Sequence, residues 1–237
     1  MSSIIWTPRA VASKAVPANV RLWRAVEAQH VASTLRLVDS PDEQHVLEDI
    51  LEATKPRVPE PARRLDYLLF TPFRYPTFHG SRFRAVTDPG VFYGAQSIRT
   101  ACAEVGYWRW RFLNDSNGLK ELGPAPQTLF EVGVRTQAVD LEKPPFSQDA
   151  KRWRAPNDYS ATQQFGRVAR DGQVGLIQYR SVRDPQPGRS GAVLRPDALR
   201  PGKPVSPTQT WLLTVTRDFA VWQRDHDAHH FDMRRWK

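Results

Sequence analysis

Residues 68–113 read LLFTPFRYPTFHGSRFRAVTDPGVFYGAQSIRTACAEVGYWRWRFL, and the fold and the site that we expect are organised around this stretch. It carries three arginines on short segments that we expect to be extended: Arg74, Arg82 and Arg84. It also carries Tyr93 in the aromatic run GVFYG, and Glu104 on a predicted helix that is otherwise apolar and basic. Arginines, aromatic residues and a single carboxylate therefore share one short part of the chain.

These residue types point to a particular ligand chemistry. Arginine suits a pyrophosphate because its planar guanidinium can hold two oxygens at once. Aromatic rings suit a flat heterocycle, and a carboxylate fixed on a helix suits a positive charge that develops during a reaction. Together they predict a site in which a dinucleotide is broken and not only held.

The pattern predicts four elements in this stretch. Residues 68–73 are apolar and expected to be extended, and residues 80–84 are expected to form a strand with its two arginines on one face. Residues 91–93 form a third predicted strand. A helix then follows from the N-cap Ser97.

The predicted helix over residues 97–113 has one buried face, made of Ile98, Ala101, Cys102, Val105, Arg109 and Phe112. Glu104 falls at the margin of that face, beside Ala101 and Trp108. There it could point into a cleft as a catalytic group. The alternative is a solvated glutamate that pairs with a neighbour such as Arg111.

On the N-terminal side, residues 1–18 are expected to be an extended or poorly ordered arm. Residues 21–26 are a predicted strand on which Arg24 is either a solvated edge residue or an anion clamp. Ser40 and Pro41 begin a helix that ends before Pro56.

On the C-terminal side, residues 114–126 are expected to form a loop and residues 128–141 a strand. A helix capped at residues 157–158 ends at Gly172. Residues 175–182 are a predicted strand that places Ser181 at its end. Further short strands are expected at residues 192–194, 211–215 and 219–222.

Composition limits the possible classes of protein. The chain has 237 residues, which allows one large domain or two small ones. Its formal net charge is +9, from 34 basic and 25 acidic residues. The basic residues are spread along the chain, which favours an anionic small ligand over nucleic acid.

The compartment can also be predicted. The single cysteine, Cys102, excludes an internal disulfide framework and lies on the buried helix face, so we expect a core thiol. The N-terminus lacks the apolar run of a signal peptide, and no stretch of about 18 apolar residues predicts a membrane span. We therefore expect a cytoplasmic protein.

Three other chemistries have less support. The histidines at positions 226, 229 and 230 lack cysteine partners and a clear fourth ligand, so we expect a polar tail or a partner contact and no metal. Ser181 has no His and Asp partners nearby in the sequence, which gives little support to a serine nucleophile. No Gly-x-Gly-x-x-Gly stretch occurs in a βαβ pattern, which argues against a hydride-transferring dehydrogenase.

The sequence resembles the RES domain family, which is named for an arginine, a glutamate and a serine. The resemblance covers roughly residues 20–200, and its spacing places Tyr93 eleven residues after Arg82 and Glu104 eleven after Tyr93. The matching pieces are LWRAVEAQH (22–30), LLFTPFRYP (68–76), GSRFR (80–84), PGVFYGAQSIRTACAEVGYWR (89–109) and GLIQYRSVR (175–183).

The resemblance implies an α+β fold similar to that of ADP-ribosyltransferases, with a split mixed β-sheet and flanking helices around an NAD cleft. Residues 19–237 would form a single catalytic domain. RES proteins are toxins of bacterial toxin–antitoxin pairs that consume NAD as substrate, with phosphate, water or a protein as acceptor. The antitoxin combines a helix-turn-helix part, through which alone DNA is contacted, with a part that neutralises the toxin.

The resemblance also implies roles for catalytic residues. Glu104 would stabilise the ribosyl cation that forms as nicotinamide leaves. Arg82 would neutralise the pyrophosphate, and Tyr93 would stack on nicotinamide or its ribose. Ser181 would form a hydrogen bond with that ribose and orient it.

The resemblance leaves two choices open for the remaining NAD contacts. Either Arg24 or Arg74 would assist Arg82, and Tyr75 would accompany Arg74. An alternative function of a different class is a non-catalytic basic module that docks a nucleic acid or an acidic protein.

Overall fold

The computed structural model describes residues 6–28, 38–75, 78–186, 188–200 and 207–236. The α-helices are α1 (Pro8–Ala12), α2 (Pro41–Thr54), α3 (Tyr67–Arg74), α4 (Ile98–Asp115), α5 (Ala150–Trp153) and α6 (Ser160–Asp171). The strands are β1 (Val16–Glu27), β2 (Phe92–Ala95), β3 (Leu122–Asp140), β4 (Leu176–Arg180), β5 (Arg189–Val193), β6 (Gln209–Val215), β7 (Phe219–Arg224) and β8 (Asp227–Asp232). Within the described residues, no helix combines the length and the apolar character that a membrane span requires.

The long antiparallel pair β1–β3 is the spine of the structure. The pairing runs from Val16 opposite Ala138 to Glu27 opposite Gln127, so the whole of β1 lies along β3. Both strands contribute buried residues to the core, with Leu22 and Val132 nearly inaccessible to solvent. Side chains on both strands are therefore fixed in register.

The other edge of β3 is divided between two strands. Residues 138–140 pair with β4 in parallel, whereas residues 122–129 pair with β6 in antiparallel orientation. The order of the sheet is β1-β2-β5-β4-β3-β6-β7-β8, and β1 also pairs with β3. The expected α+β class and split mixed sheet are confirmed.

Helix α4 packs its inner face on the β6–β8 side of this sheet. It begins after Ser97, whose Oγ accepts the Thr100 N–H at 3.1 Å, as predicted. Its buried side is centred on Ala103, Tyr107 and Trp110, which pack with the following core residues: Trp211, Trp222, Phe231 and Trp236. The predicted inner face was therefore wrong in its second half.

That error has a simple cause. Phe112 and Arg109 were expected inside, but Phe112 is 53% exposed. The helix carries aromatic residues on more than one side, and periodicity alone did not show which side meets the tryptophans of β6 and β7.

Other boundaries agree with the predictions at several points. Helix α2 begins at Pro41 with Ser40 as N-cap, and α6 ends before Gly172. Strand β4 ends at Arg180, so Ser181 directly follows it. The predicted strands near the C-terminus correspond to β5, β6 and β7.

Two segments of the central stretch differ from the predictions. Residues 68–73 lie in helix α3, because Asp66 caps it by accepting the Leu68 N–H at 2.9 Å. A short apolar run does not distinguish strand from helix by itself. Residues 80–84 form only an isolated bridge between Ser81 and Arg84.

The expected loop at residues 114–126 is present but shorter, at residues 116–121, because α4 continues to Asp115 and β3 begins at Leu122. The helix and strand propensities of these residues did not predict the longer α4 or the earlier start of β3. The early start of β3 is explained by β6, which pairs with its first residues.

The predicted N-terminal arm is part of the packed structure from residue 6 onward; residues 1–5 lie outside the described residues. Thr7 caps α1, and Val11 of that helix is fully buried in a cluster with Phe165 of α6. The Trp6 ring lies 4.7 Å from the Phe146 ring, measured between centroids. These contacts are distant in sequence, which is why local pattern did not predict them.

We expect Val11→Ala to lower the free energy of unfolding by about 2 kcal/mol, from the loss of buried methyl groups and the cavity left behind. Urea unfolding followed by circular dichroism measures this change. Val16→Ala is the matched control, because Val16 is 60% exposed and its substitution should cost less than about 0.5 kcal/mol. Equal effects of the two substitutions would contradict the packed N-terminus.

Candidate active site

A cavity lies between α4, the strands β1 and β2, and the turn around Ser81. The volume of this cavity is about 200 Å³. The lining residues are Trp23, Arg24, Ala25, Ser81, Arg82, Tyr93, Gly94, Ala95, Ala101, Glu104, Val105, Trp108, Tyr159, Tyr179 and Ser190. Three of the predicted catalytic residues, Arg82, Tyr93 and Glu104, therefore share one hollow.

Helix α4 presents a second face to this cavity. Ala101, Glu104, Val105 and Trp108 all line it, and their spacing of three, four and seven residues places them on one side of a helix. The alternative of a solvated glutamate paired with Arg111 is wrong. The Arg111 guanidinium instead lies 3.8 Å from the carboxylate of Asp115, one turn further along the helix.

The carboxylate of Glu104 is held by Ser181. Ser181 Oγ donates a hydrogen bond to Glu104 Oε1 at 2.6 Å, and the same Ser181 Oγ accepts the N–H groups of Arg183 and Asp184, both at 3.1 Å. The serine hydroxyl is thus fixed between α4 and the segment after β4. Ser181 is not among the lining residues, so its expected contact with a ribose stays a prediction.

The environment of Glu104 has opposing effects on its ionisation. Burial raises the pKa of the carboxyl above its ordinary value. The hydrogen bond from Ser181 and the positive charges of Arg82 and Arg183 lower that pKa, whereas the negative charge of Asp184 raises it. The result is a carboxylate in a poorly solvated hollow whose negative charge depends on nearby cations.

Arg82 is fixed in the wall of the cavity and is 8% exposed. Its Nη1 donates to the backbone oxygens of Trp153 and Ala155 at 2.9 and 3.0 Å. Its guanidinium carbon lies 4.8 Å from the centroid of the Tyr159 ring. Only one of the guanidinium nitrogens takes part in these hydrogen bonds, which fits an arginine that can still bind an anion.

Arg24 extends from β1 into the same cavity. Its Nη1 donates to the Tyr93 carbonyl at 2.9 Å, and its guanidinium carbon lies 4.7 Å from the Phe92 ring centroid. Its Nε is buried without a hydrogen-bond partner in the described part of the chain. Burial lowers the pKa of Arg24 to about 10, so the side chain is still a cation at neutral pH.

Tyr93 lines the cavity with its ring while its hydroxyl is engaged. The hydroxyl forms a hydrogen bond with Ser81 Oγ at 2.8 Å and accepts the Phe83 N–H at 3.0 Å. Burial raises the pKa of this phenol. Tyr93 therefore joins the turn around Ser81 to β2 as a neutral side chain.

Arg74 and Tyr75, which were expected to contact NAD, are not among the residues that line the cavity. Arg74 Nε donates to the Pro56 carbonyl at 2.7 Å, and its Nη2 donates to Glu52 of α2 at 2.8 Å. The Arg74 guanidinium carbon also lies 5.5 Å from the Tyr75 ring centroid. Of the two arginines proposed as the assistant of Arg82, the cavity contains Arg24.

Arg183 is a buried residue of the site that the sequence pattern did not reveal. Its guanidinium carbon lies 3.4 Å from the centroid of the Tyr107 ring. Its Nη2 donates to the Tyr159 hydroxyl at 3.1 Å and to the Pro156 carbonyl. The signal that could have indicated Arg183 is its position two residues after Ser181. Tyr159, at the N-cap of α6, carried no such signal.

The segment after β4 is anchored on further sides. The Asp184 carboxylate accepts the Thr100 hydroxyl at 2.8 Å and lies 3.3 Å from Arg99 Nε, both in the first turn of α4. Trp236 Nε1 donates to the Arg183 carbonyl at 2.9 Å. Ser181 thus lies in a segment that α4 and the C-terminal region both hold.

A comparison with models of protein families shows to which family the chain belongs. The model of the RES domain matches residues 56–216. The chain belongs to the RES domain family. Arg82, Tyr93, Glu104 and Ser181 lie within the matched region, whereas Arg24 lies before it.

A comparison with solved structures finds a chain in the crystal structure of the M. tuberculosis MbcT-MbcA toxin-antitoxin complex. It is 15% identical to this RES protein, with a TM-score of 0.48, and the match covers 86% of this chain and 90% of that chain. No curated protein sequence matches the chain.

The histidines near the C-terminus of this RES protein do not form a frayed tail. His229 and His230 lie in β8, where the His229 ring stacks on Trp211 at 5.2 Å and the His230 ring on Phe219 at 5.8 Å. Among the described residues, no group of three His, Cys, Asp or Glu side chains is placed to hold a metal ion. Cys102 is fully buried, and burial raises the pKa of its thiol.

We expect Arg183→Gln to raise the pKa of the Glu104 carboxyl, because the substitution removes a cation that favours the ionised form. The transition from neutral acid to carboxylate would then occur at higher pH than in the wild type. NMR titration of the labelled carboxyl carbons, with Glu104→Gln used for assignment, measures the shift. Arg154→Gln is the control, because the Arg154 guanidinium pairs with Glu142 and not with Glu104. A Glu104 pKa that falls in Arg183→Gln, or that rises equally in Arg154→Gln, would contradict the assignment.

Proposed function

We propose that this RES protein cleaves the bond between nicotinamide and ribose in NAD. The observation that supports the proposal best is the Glu104 carboxylate, which lines a cavity and accepts a 2.6 Å hydrogen bond from Ser181. Arg24 and Arg82 contribute positive charge to the same cavity. A carboxylate and two arginines in one hollow match a substrate that has a pyrophosphate and forms a cation.

The chemistry requires such a carboxylate. When the C1–N bond of the nicotinamide ribose breaks, the bonding electrons move to the nicotinamide nitrogen, which leaves as a neutral base. The sugar becomes a cation of the oxocarbenium type. The Glu104 carboxylate stabilises this charge electrostatically, and the poorly solvated cavity strengthens the interaction.

The two arginines bind the pyrophosphate. Arg24 has a buried Nε without a hydrogen-bond partner in the described residues, which is a donor position that a phosphate oxygen would satisfy. Arg82 is held by carbonyl oxygens through Nη1, so its orientation is set before the substrate enters. Such preorganisation reduces the entropy lost on binding.

Ser181 and Tyr93 have supporting roles in the proposal. Ser181 is a positioning residue that orients the Glu104 carboxylate through its hydroxyl. The Tyr93 ring packs against nicotinamide or its ribose, since its hydroxyl is already engaged with Ser81 and the Phe83 N–H. The acceptor of ADP-ribose in this proposal is an oxygen of phosphate or water, or a protein side chain.

We further propose that the chain acts in the cytoplasm as the toxin of a toxin–antitoxin pair. Its membership of the RES domain family supports this role. The antitoxin would contact DNA through a helix-turn-helix part and neutralise the toxin with another. The net charge of +9 favours an acidic neutralising part.

Incubation of the purified protein with NAD should release nicotinamide, and Glu104→Gln should reduce the rate by on the order of 10³-fold, because it removes the charge that stabilises the cation. Chromatography with mass analysis identifies the products with water, phosphate or cell lysate as the source of acceptor. Arg154→Gln should retain wild-type activity. If a folded wild-type protein releases no nicotinamide under any of the three conditions, the proposed activity is wrong.

Expression without an antitoxin should arrest growth, and Arg82→Ala should relieve the arrest, because the pyrophosphate loses a fixed cation. Growth curves and cellular NAD content measure the effect. The comparison requires equal amounts of soluble wild-type and variant protein. Arg154→Ala should still arrest growth, and normal growth with abundant soluble wild-type protein would refute the toxin role.

A further inference from the structure

Trp108 is the most exposed of the described residues that line the cavity. Its side chain is 39% exposed, although a tryptophan is usually highly buried. It lies one helical turn after Glu104 on the same face of α4. An aromatic surface is thus displayed at the mouth of the cavity, next to the proposed catalytic carboxylate.

The position of the Trp108 ring is supported by its neighbours. The Tyr107 ring contacts it edge-on, with 5.4 Å between the centroids and 72° between the planes. The Arg111 guanidinium carbon lies 5.7 Å from the Trp108 ring centroid. The ring is therefore held in place, with the Arg111 cation over one face, and a flat ligand would stack on the other face.

The size of the cavity restricts which part of NAD can be enclosed. Pockets that bury drug-sized ligands have volumes of roughly 300–1,000 Å³, and a dinucleotide is larger than most such ligands. The cavity volume here is about 200 Å³, which is too small for a whole dinucleotide. Since the proposed cleavage places the nicotinamide ribose at Glu104, the adenosine half would extend beyond the cavity, toward the exposed Trp108.

We propose that Trp108 is a base-stacking subsite that binds the adenine ring of the dinucleotide outside the enclosed cavity. This inference rests on the proposed NAD substrate. Stacking on an aromatic side chain is a general way to bind a purine, since every base has a π face. Arg111 adds positive charge near the phosphate that joins the adenosine to the rest of the ligand.

This subsite gives the protein a means to select a dinucleotide over a mononucleotide. Nicotinamide mononucleotide contains the bond that is broken but has no adenine. Removal of the Trp108 ring should therefore weaken NAD binding and leave the binding of nicotinamide mononucleotide unchanged. A residue that only supported the fold would not distinguish the two ligands.

The test is calorimetric titration of the Glu104→Gln protein, in which turnover is blocked, with NAD, ADP-ribose and nicotinamide mononucleotide. Adding Trp108→Ala should raise the Kd for NAD and ADP-ribose about tenfold, within the range for loss of one base–aromatic stack. Trp108→Phe should retain most of the affinity, because a phenyl ring still offers a face. Phe112→Ala is the matched control, since Phe112 is an exposed aromatic on α4 that does not line the cavity.

Three outcomes would overturn the subsite: an unchanged Kd for NAD, an equal loss for nicotinamide mononucleotide, or no NAD binding at all. Melting curves of the Trp108 variants show whether the fold is retained, and Trp108→Phe serves as the second variant if Trp108→Ala is unstable. The proposed cleavage is tested separately. If NAD binds with the Trp108 dependence described but wild-type protein releases no nicotinamide, the cleavage fails and the stacking subsite stands.

Discussion

The hydrogen bond from Ser181 to Glu104 is the interaction on which the site depends. A carboxylate in a poorly solvated hollow is costly unless hydrogen bonds and nearby cations compensate for the lost water. Here the compensation comes from two separate parts of the chain: the segment after β4, which supplies the Ser181 hydroxyl and the Arg183 cation, and Arg82 before β2. The same groups keep the carboxylate in one orientation, so the arrangement that stabilises it also aims it into the cavity.

This arrangement requires α4 to pack on the sheet with one side and to line the cavity with another. Its inner side, centred on Tyr107 and Trp110, is packed with tryptophans of the sheet, which fixes the rotation of the helix. With that rotation fixed, residues 101, 104 and 108 line the cavity, and Val105 both lines it and packs against the core. The long β1–β3 ladder completes the geometry, because it fixes Arg24 in register on the opposite wall.

The sequence was sufficient for features that local signals encode. The cap Ser97, the helix after it and the placement of Ser181 at a strand end were predicted and are present. The packed N-terminal segment and the roles of Arg183 and Tyr159 were missed, because they depend on partners far away in the sequence. The sequence could not distinguish Arg74 from Arg24; in the structure Arg74 pairs with Glu52, whereas Arg24 lines the cavity.

The hydrogen bond from Trp236 to the Arg183 carbonyl joins residues that are 53 positions apart. During translation, the segment that carries Ser181 leaves the ribosome well before this indole does. A nascent chain that has reached only β5 lacks both the indole and the three-strand meander β6–β8 against which α4 packs. The segment that carries Ser181 and the inner face of α4 therefore gain their full set of contacts only after the chain has been synthesised through Trp236.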